Sequence, residues 1–242
     1  MPIQALLFDL GSTLIYAKDP WPPIYQRADR ALAEVLRRAG IHLDPNRFYE
    51  DYASFMDAYY SMQDERNIEQ TSFSALRELL AKKGYHDVPD EVLMEALDAE
   101  YAITQTNWFA EEDAIPTLQT LRKEGYRLGM VSNTSHDKNV QQLVDRFGFR
   151  PFFEIIVTSA ALGIRKPDRR IFQVALDRFG MPPESVAMIG DTPSADLVGA
   201  NRLGMFSIWI TRRAGGPDPA IHPRATVTLL NEIPSLLKKI GA

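Results

Sequence analysis

Apolar residues first gather at Ile3-Gln4-Ala5-Leu6-Leu7-Phe8, a run that stops at Asp9 and Gly11. A short stretch that is apolar at nearly every position predicts a strand covered on both faces, as in a parallel sheet. The period then changes. Ile24, Ala28, Ala31 and Val35 follow helical spacing. So do Phe48, Tyr52, Phe55 and Tyr59, after Asp44-Pro45, an N-cap followed by proline at the first helical position. Phe73, Leu76 and Leu80 predict a third helix ended by Gly84, and Leu93, Leu97 and Tyr101 a fourth opened near Pro89-Asp90. No strand is expected between 17 and 105. From about 106 onward the two periods alternate. Helices are predicted over 113–124, 137–147 (capped by Ser135 or Asp137), 168–179 and 194–203. Strands are predicted at Tyr126–Ser132, Glu154–Thr158, Ser185–Gly190, Met205–Ile210 and, briefly, Ala225–Leu229.

Repeated β-α units predict an α/β fold, a doubly wound Rossmann-like parallel sheet with helices on both faces. A lone strand cannot stand beside four helices, so the first strand belongs with the later ones. The expected organisation is an α/β core of 1–16 and 106–242, interrupted by an inserted all-helical domain at 17–105, with hinges near 15–20 and 104–112.

Composition adds exclusions. With 45% apolar and 24% charged residues, the chain matches globular proteins and not disordered or collagenous ones. Lys and Arg number 27 against 32 Asp and Glu, which removes the basic face of a general nucleic-acid binder. Cysteine is absent, so disulfides, thiolate nucleophiles and thiolate metal sites are excluded. No run approaches the roughly 18 apolar residues of a membrane span, and Met1-Pro2-Ile3-Gln4 carries no basic segment of a secretion signal. A soluble, cytoplasmic protein with neither nucleic-acid nor membrane partner is expected.

Open α/β sheets bind ligands beyond the carboxyl ends of their strands. Polar groups stand at four such ends. Asp9 ends the first strand, Ser132 and Asn133 end the Tyr126–Ser132 strand, Lys166 follows the next one, and Asp191 and Asp196 follow Ser185–Gly190. A carboxylate nucleophile, a hydroxyl, an ammonium and a further carboxylate pair make a phosphoryl-transfer set. Two carboxylates can hold Mg²⁺, while the lysine and serine bind phosphoryl oxygens.

This constellation resembles the haloacid dehalogenase superfamily. The matching pieces are Phe8-Asp9-Leu10-Gly11-Ser12-Thr13-Leu14, Val131-Ser132-Asn133-Thr134, Lys166-Pro167-Asp168 and Gly190-Asp191 with Asp196. The helical insertion between the first two pieces looks like that family's cap. The resemblance implies a hydrolase of the phosphatase-like branch acting on a small phosphorylated molecule, with Mg²⁺ as cofactor. It implies roles as well: Asp9 as the nucleophile that becomes an aspartyl-phosphate, and Ser132 with the backbone at Asn133 as phosphate binders. Lys166 would neutralise the phosphoryl group and orient Asp9. Asp191 would hold Mg²⁺ together with Asp9 and the Gly11 carbonyl, and Asp196 would orient Lys166 or a metal-bound water. Phosphatases of the family usually carry an acid-base Asp two residues after the nucleophile, where this chain has Gly11. Two other branches depart further. Dehalogenases tend to lose the second acidic pair, and the phosphonate-cleaving branch needs a cap lysine, for which the insertion offers Lys18, Lys82 and Lys83. A phosphate-binding protein without turnover is the alternative from another class, favoured by Gly11 and opposed by the retained Asp9, Lys166 and Asp191.

Plainer roles are expected elsewhere. Phe48, Tyr49, Tyr52, Phe55, Tyr59 and Tyr60 read as helix packing. His42, His86, His136 and His222 read as loop or helix-end residues, since none has metal-ligand spacing. Tyr16 and Lys18, in the first hinge, lean toward the site, and Asp19 or a histidine of the cap is the candidate to lend the acid that Gly11 lacks.

Overall fold

The structure, a computed structural model, describes residues 2–241, apart from the side chains at 45, 46, 57 and 59–66. In chain order the elements are β1 (Ala5–Phe8), β2 (Ile15–Ala17), α1 (Trp21–Arg38), α2 (Pro45–Arg66), α3 (Ser72–Lys82), α4 (Asp90–Thr104), β3 (Trp108–Ala110), α5 (Ala114–Lys123), β4 (Arg127–Ser132), α6 (Asp137–Arg146), β5 (Ile155–Thr158), α7 (Ser159–Leu162), α8 (Arg169–Phe179), β6 (Val186–Gly190), α9 (Val198–Leu203), β7 (Phe206–Ile210), β8 (Ala225–Val227) and α10 (Ile233–Gly241). They fall into two compact units, Met1–Tyr16 with Phe109–Ala242, and Ala17–Trp108.

The first unit is built on a six-stranded sheet in the order β5-β4-β1-β6-β7-β8, parallel throughout. β1 is fully buried, which is why its sequence runs apolar without alternation. It lies centrally, in register with β4 (Phe8 opposite Met130) and β6 (Phe8 opposite Ile189). Chain order proceeds outward through β4 and β5 on one side and through β6, β7 and β8 on the other, so the switch point falls at the end of β1. Leu7, Val131, Val157 and Met188 pack on one face against Ile171, Phe172, Leu176 and Phe179 of α8. α8 begins where the Asp168 side chain accepts the Arg170 amide, and stops at left-handed Gly180.

The helical unit has its own core of Leu32, Leu36, Phe48, Tyr52, Leu76, Leu80, Leu93 and Leu97. Phe48 and Tyr52 stack with ring centroids 5.5 Å apart, and Phe55 packs against the same cluster. The side chains of Tyr59 and Tyr60 lie outside those described. Asp44 caps α2 by accepting the Arg47 amide at 3.0 Å.

Several sequence expectations need correction. The 194–203 helix is divided into a π turn over Pro193–Leu197 and then α9. The cap of α6 is neither Ser135 nor Asp137. It is His136, whose Nδ1 accepts the Asn139 amide at 3.1 Å. The last strand stops at Val227, short of Leu229. α7, α10 and the two-stranded β2-β3 sheet were not foreseen, because α7 and the two strands span only three or four residues, too few to show a period.

Two carboxylic acids are buried in the helical unit. Asp29 and Glu100 are 4% and 8% exposed, and among the described residues Glu100 has the Tyr52 hydroxyl as its one donor, at 3.4 Å. Burial pushes Asp29 up to about 7. Burial, then the charge of Asp29, pushes Glu100 up to about 8, against the pull of Tyr52. The folded unit therefore binds protons that the unfolded chain releases near its ordinary carboxylate values. This contribution to stability is full below about pH 4, falls by about 1.4 kcal/mol per pH unit per group, and is gone above about pH 8. Urea unfolding followed by circular dichroism should show a transition that weakens between pH 5 and pH 8, and Glu100→Gln should flatten it. A wild type equally stable at both values contradicts the assignment.

Candidate active site

Asp9 leaves β1 between the strand ends that carry Ser132 and Asp191, its amide still donating to the Ile189 carbonyl at 2.9 Å. The chain then curls back on itself. The amides of Leu14 and Ile15 both reach the Leu10 carbonyl, at 2.9 and 3.0 Å, and Ser12 takes the left-handed φ of 57° that this turn needs. Gly11 forms a bridge with Ile15.

Lys166 is the centre of the site. Its side chain is 2% exposed. Nζ donates to Asp9 Oδ1 at 2.5 Å, to Asp196 Oδ1 at 2.6 Å and to the Val131 carbonyl at 2.9 Å, which engages all three ammonium protons. Asp196 turns its other oxygen to the Thr192 amide at 3.0 Å, so one buried carboxylate ties Lys166 to the loop that bears Asp191. Close packing fixes this arrangement. A Cβ on Gly190 would fall 2.1 Å from Asp196 Oδ2, and the π turn places Asp196 over that glycine; such turns recur at functional sites.

Asn133 does not turn its side chain to open space. Its Oδ1 accepts the Lys166 amide at 2.8 Å and its Nδ2 donates to the Lys166 carbonyl at 3.1 Å. Among the described residues the Ser132 hydroxyl and Asp9 Oδ2 make no hydrogen bond. Asp191 accepts from the Thr192 hydroxyl at 3.2 Å, and its carbonyl accepts from Trp209 Nε1 at 3.0 Å. Direct bonds thus join Asp9, Lys166 and Asp196. Asn133 joins through the Lys166 backbone, and Asp191 through charge.

Three carboxylates here face one ammonium. Burial, reinforced by the charges of Asp196 and Asp191 and opposed by Lys166, pushes Asp9 up to about 7. Burial, then Asp196, pushes Asp191 up to about 6. Burial opposes the Lys166 charge, yet Asp196 and Asp9 hold its pKa above the ordinary lysine value. This excess of negative charge suits a bound cation. Among the described residues no three His, Cys, Asp or Glu side chains converge on a metal position. A donor set of two carboxylates and a backbone carbonyl fits Mg²⁺, which keeps several waters and takes few protein ligands.

Other candidates have surroundings of their own. Lys82 pairs with Glu78 at 2.8 Å and Lys83 with Asp51, so both are helix-surface cations. His42, His86 and His222 are exposed. Asp19 is exposed, its main chain held by both ends of the Asn107 side chain at 2.8 and 2.9 Å. Sequence reasoning missed Trp209, which braces Asp191. It also missed Arg212 and Arg213, adjacent in the loop after β7 and bonded to Glu111. The Arg-Arg pair one residue past the end of a strand was the available signal.

The family model for haloacid dehalogenase-like hydrolase matches residues 3–204. A glyceraldehyde 3-phosphate phosphatase from Methanopyrus kandleri is 30% identical over 87% of this chain and 84% of its own. A phosphoserine phosphatase from Thermus thermophilus is 35% identical over 48% of this chain and 46% of its own. The crystal structure of a 2-haloacid dehalogenase from Pseudomonas syringae superposes with a TM-score of 0.71 at 24% identity, covering 98% of this chain and 99% of that one, a likeness of fold. No helix among the described residues is long and apolar enough to cross a membrane.

Proposed function

The chain belongs to the haloacid dehalogenase-like hydrolase family, and from that premise we propose that it is a Mg²⁺-dependent phosphatase of a small phosphorylated metabolite, working through an aspartyl-phosphate on Asp9. The observation that carries this reading is the asymmetry of Asp9. One carboxylate oxygen is held by Lys166 at 2.5 Å, and the other makes no hydrogen bond among the described residues. Oδ2 is thus free to attack phosphorus. The P–O bond to the leaving group breaks, and its electron pair leaves with that oxygen. Water then cleaves the acyl phosphate, releasing inorganic phosphate and restoring the carboxylate. Ser132 and the backbone at Asn133 bind phosphoryl oxygens, while Asn133 through its side chain, together with Asp196, keeps Lys166 aimed at Asp9. Asp9, Asp191 and the Gly11 carbonyl would hold Mg²⁺, which when bound neutralises charge on the phosphoryl group. The helical unit, 17–105, serves as the cap that selects the substrate and limits water.

Gly11 offers no proton to the leaving group. General acid catalysis is worth about 10²–10⁴ in rate, most for basic leaving groups. In the presence of Mg²⁺, kcat/KM should therefore fall by about that factor from acetyl or aryl phosphates to alkyl phosphates. Gly11→Asp should narrow the gap, and Gly11 is not among the positive-φ glycines, so its backbone accepts the change. The relatives' named substrates are alkyl phosphates. A series flat in leaving-group basicity would place the acid elsewhere in this chain, and no turnover of any phosphate would support the binding-protein alternative.

A further inference from the structure

A second polar concavity lies in the core unit, an open pocket of about 410 Å³ whose walls include Tyr16, Glu112, Arg213 and Asn231. Its floor is pre-arranged. Arg212 is neutralised by Glu111 at 2.5 Å and by both oxygens of Asp113 at 2.8 and 2.7 Å. The other Glu111 oxygen takes Arg213 Nε at 2.8 Å, and the Arg213 guanidinium lies 4.1 Å from the centre of the Tyr16 ring. One buried carboxylate and one aromatic face thus set the plane of Arg213. Its two terminal nitrogens make no hydrogen bond among the described residues, and the side chain is 41% exposed.

Two further groups on these walls are unengaged. Glu112 is exposed and makes no ion pair or hydrogen bond among the described residues, and the Asn231 side chain likewise makes none. The free groups therefore include two guanidinium nitrogens, one carboxylate and one amide, a set that offers both donors and acceptors. The charge balance narrows the ligand. Glu111, Glu112 and Asp113 outnumber Arg212 and Arg213 by one, so an anion meets net repulsion, while the exposed terminal nitrogens of Arg213 oppose a simple cation. A hydroxyl group both donates and accepts without charge, and several on one carbon chain match this lining. The pocket volume lies within the range of small-molecule sites.

We propose that this pocket binds an uncharged, polyhydroxylated ligand, a sugar or polyol, with Arg213 and Glu112 as its principal partners. Arg213 donates to ligand oxygens through its terminal nitrogens, and Glu112 accepts from ligand hydroxyls. The site stands in the core unit whatever Asp9 does, so its test needs no turnover.

Ligand-detected saturation-transfer NMR on the full chain, with ribitol and ribose as probes and acetate and serine as charged and zwitterionic controls, tests it. Transfer to ribitol or ribose is expected in the wild type, reduced at least fivefold in both Arg213→Ala and Glu112→Ala. Glu112 makes no bond that holds the fold, so its variant keeps the test valid if loss of Arg213 perturbs the Glu111 network. Absence of polyol transfer, equal transfer in the variants, or a response confined to acetate or serine would each overturn the proposal.

Discussion

Asp9→Asn should abolish turnover, by at least roughly 10⁴-fold as for other lost nucleophiles, and at the same time leave the protein as stable as the wild type or more so. Both halves come from one geometry. The amide keeps the shape of the carboxylate and can still accept from Lys166, but it cannot attack phosphorus. It also removes one of three carboxylates that face a single ammonium, and burial already pushes Asp9 up to about 7. A catalytic group held against its preferred charge state is a source of instability that function retains. Initial rates with an aryl phosphate and urea midpoints, measured on the same preparations, check the pair. Full activity in the variant sinks the aspartyl-phosphate. A marked loss of stability would instead mean that Asp9 is mainly a structural partner of Lys166.

Lys166→Met should fail in both respects. Methionine matches the length of lysine, so packing is largely kept, but Asp9 and Asp196 lose the donor that each holds at 2.5 and 2.6 Å. Removing one partner from a buried ion pair costs about 3–5 kcal/mol, because the other charge stays buried without compensation. Adding Asp196→Asn should return part of that stability while activity stays absent. Denaturant midpoints of the single and double variants decide the matter. If the double variant is no more stable than the single one, the Lys166–Asp196 pair is not the source of the loss.

The parallel core was readable in the sequence because its strands are buried on both faces and its helices are long enough to repeat. Leu6, Leu7 and Phe8 could not belong to a half-exposed strand, and Ile171, Ala175 and Phe179 share one face of α8. The site residues were readable as types at strand ends. Which atoms meet was not. Nothing in Ser132-Asn133-Thr134 says that both polar atoms of Asn133 turn to the Lys166 backbone, because that clamp joins segments 33 residues apart. The π turn at Pro193–Leu197 reads as ordinary helix because it runs directly into Val198–Leu203. Its departure follows from the Thr192 amide and Lys166 both closing on Asp196. The Arg212 network was illegible for a further reason. Its acids lie at 111 and 113, across the whole core from the arginines in sequence, and charged residues in loops ordinarily read as solvated.

The short β2-β3 ribbon bears on how this chain folds. Ala5 on β1 pairs with Arg127 on β4, so the central strand waits for a partner that lies beyond the entire helical unit. A flexible loop of that length carries a closure cost that grows with the logarithm of its size. Once the helical unit is folded, and its two ends are drawn together in β2 and β3, the free chain between β1 and β4 shrinks to roughly a quarter of its sequence length, a saving of about 1 kcal/mol. Local helical contacts also form faster than long-range parallel strand pairs. The insertion can thus act as an intramolecular clasp, bringing the strand that ends in Asp9 to its neighbour before the sheet closes.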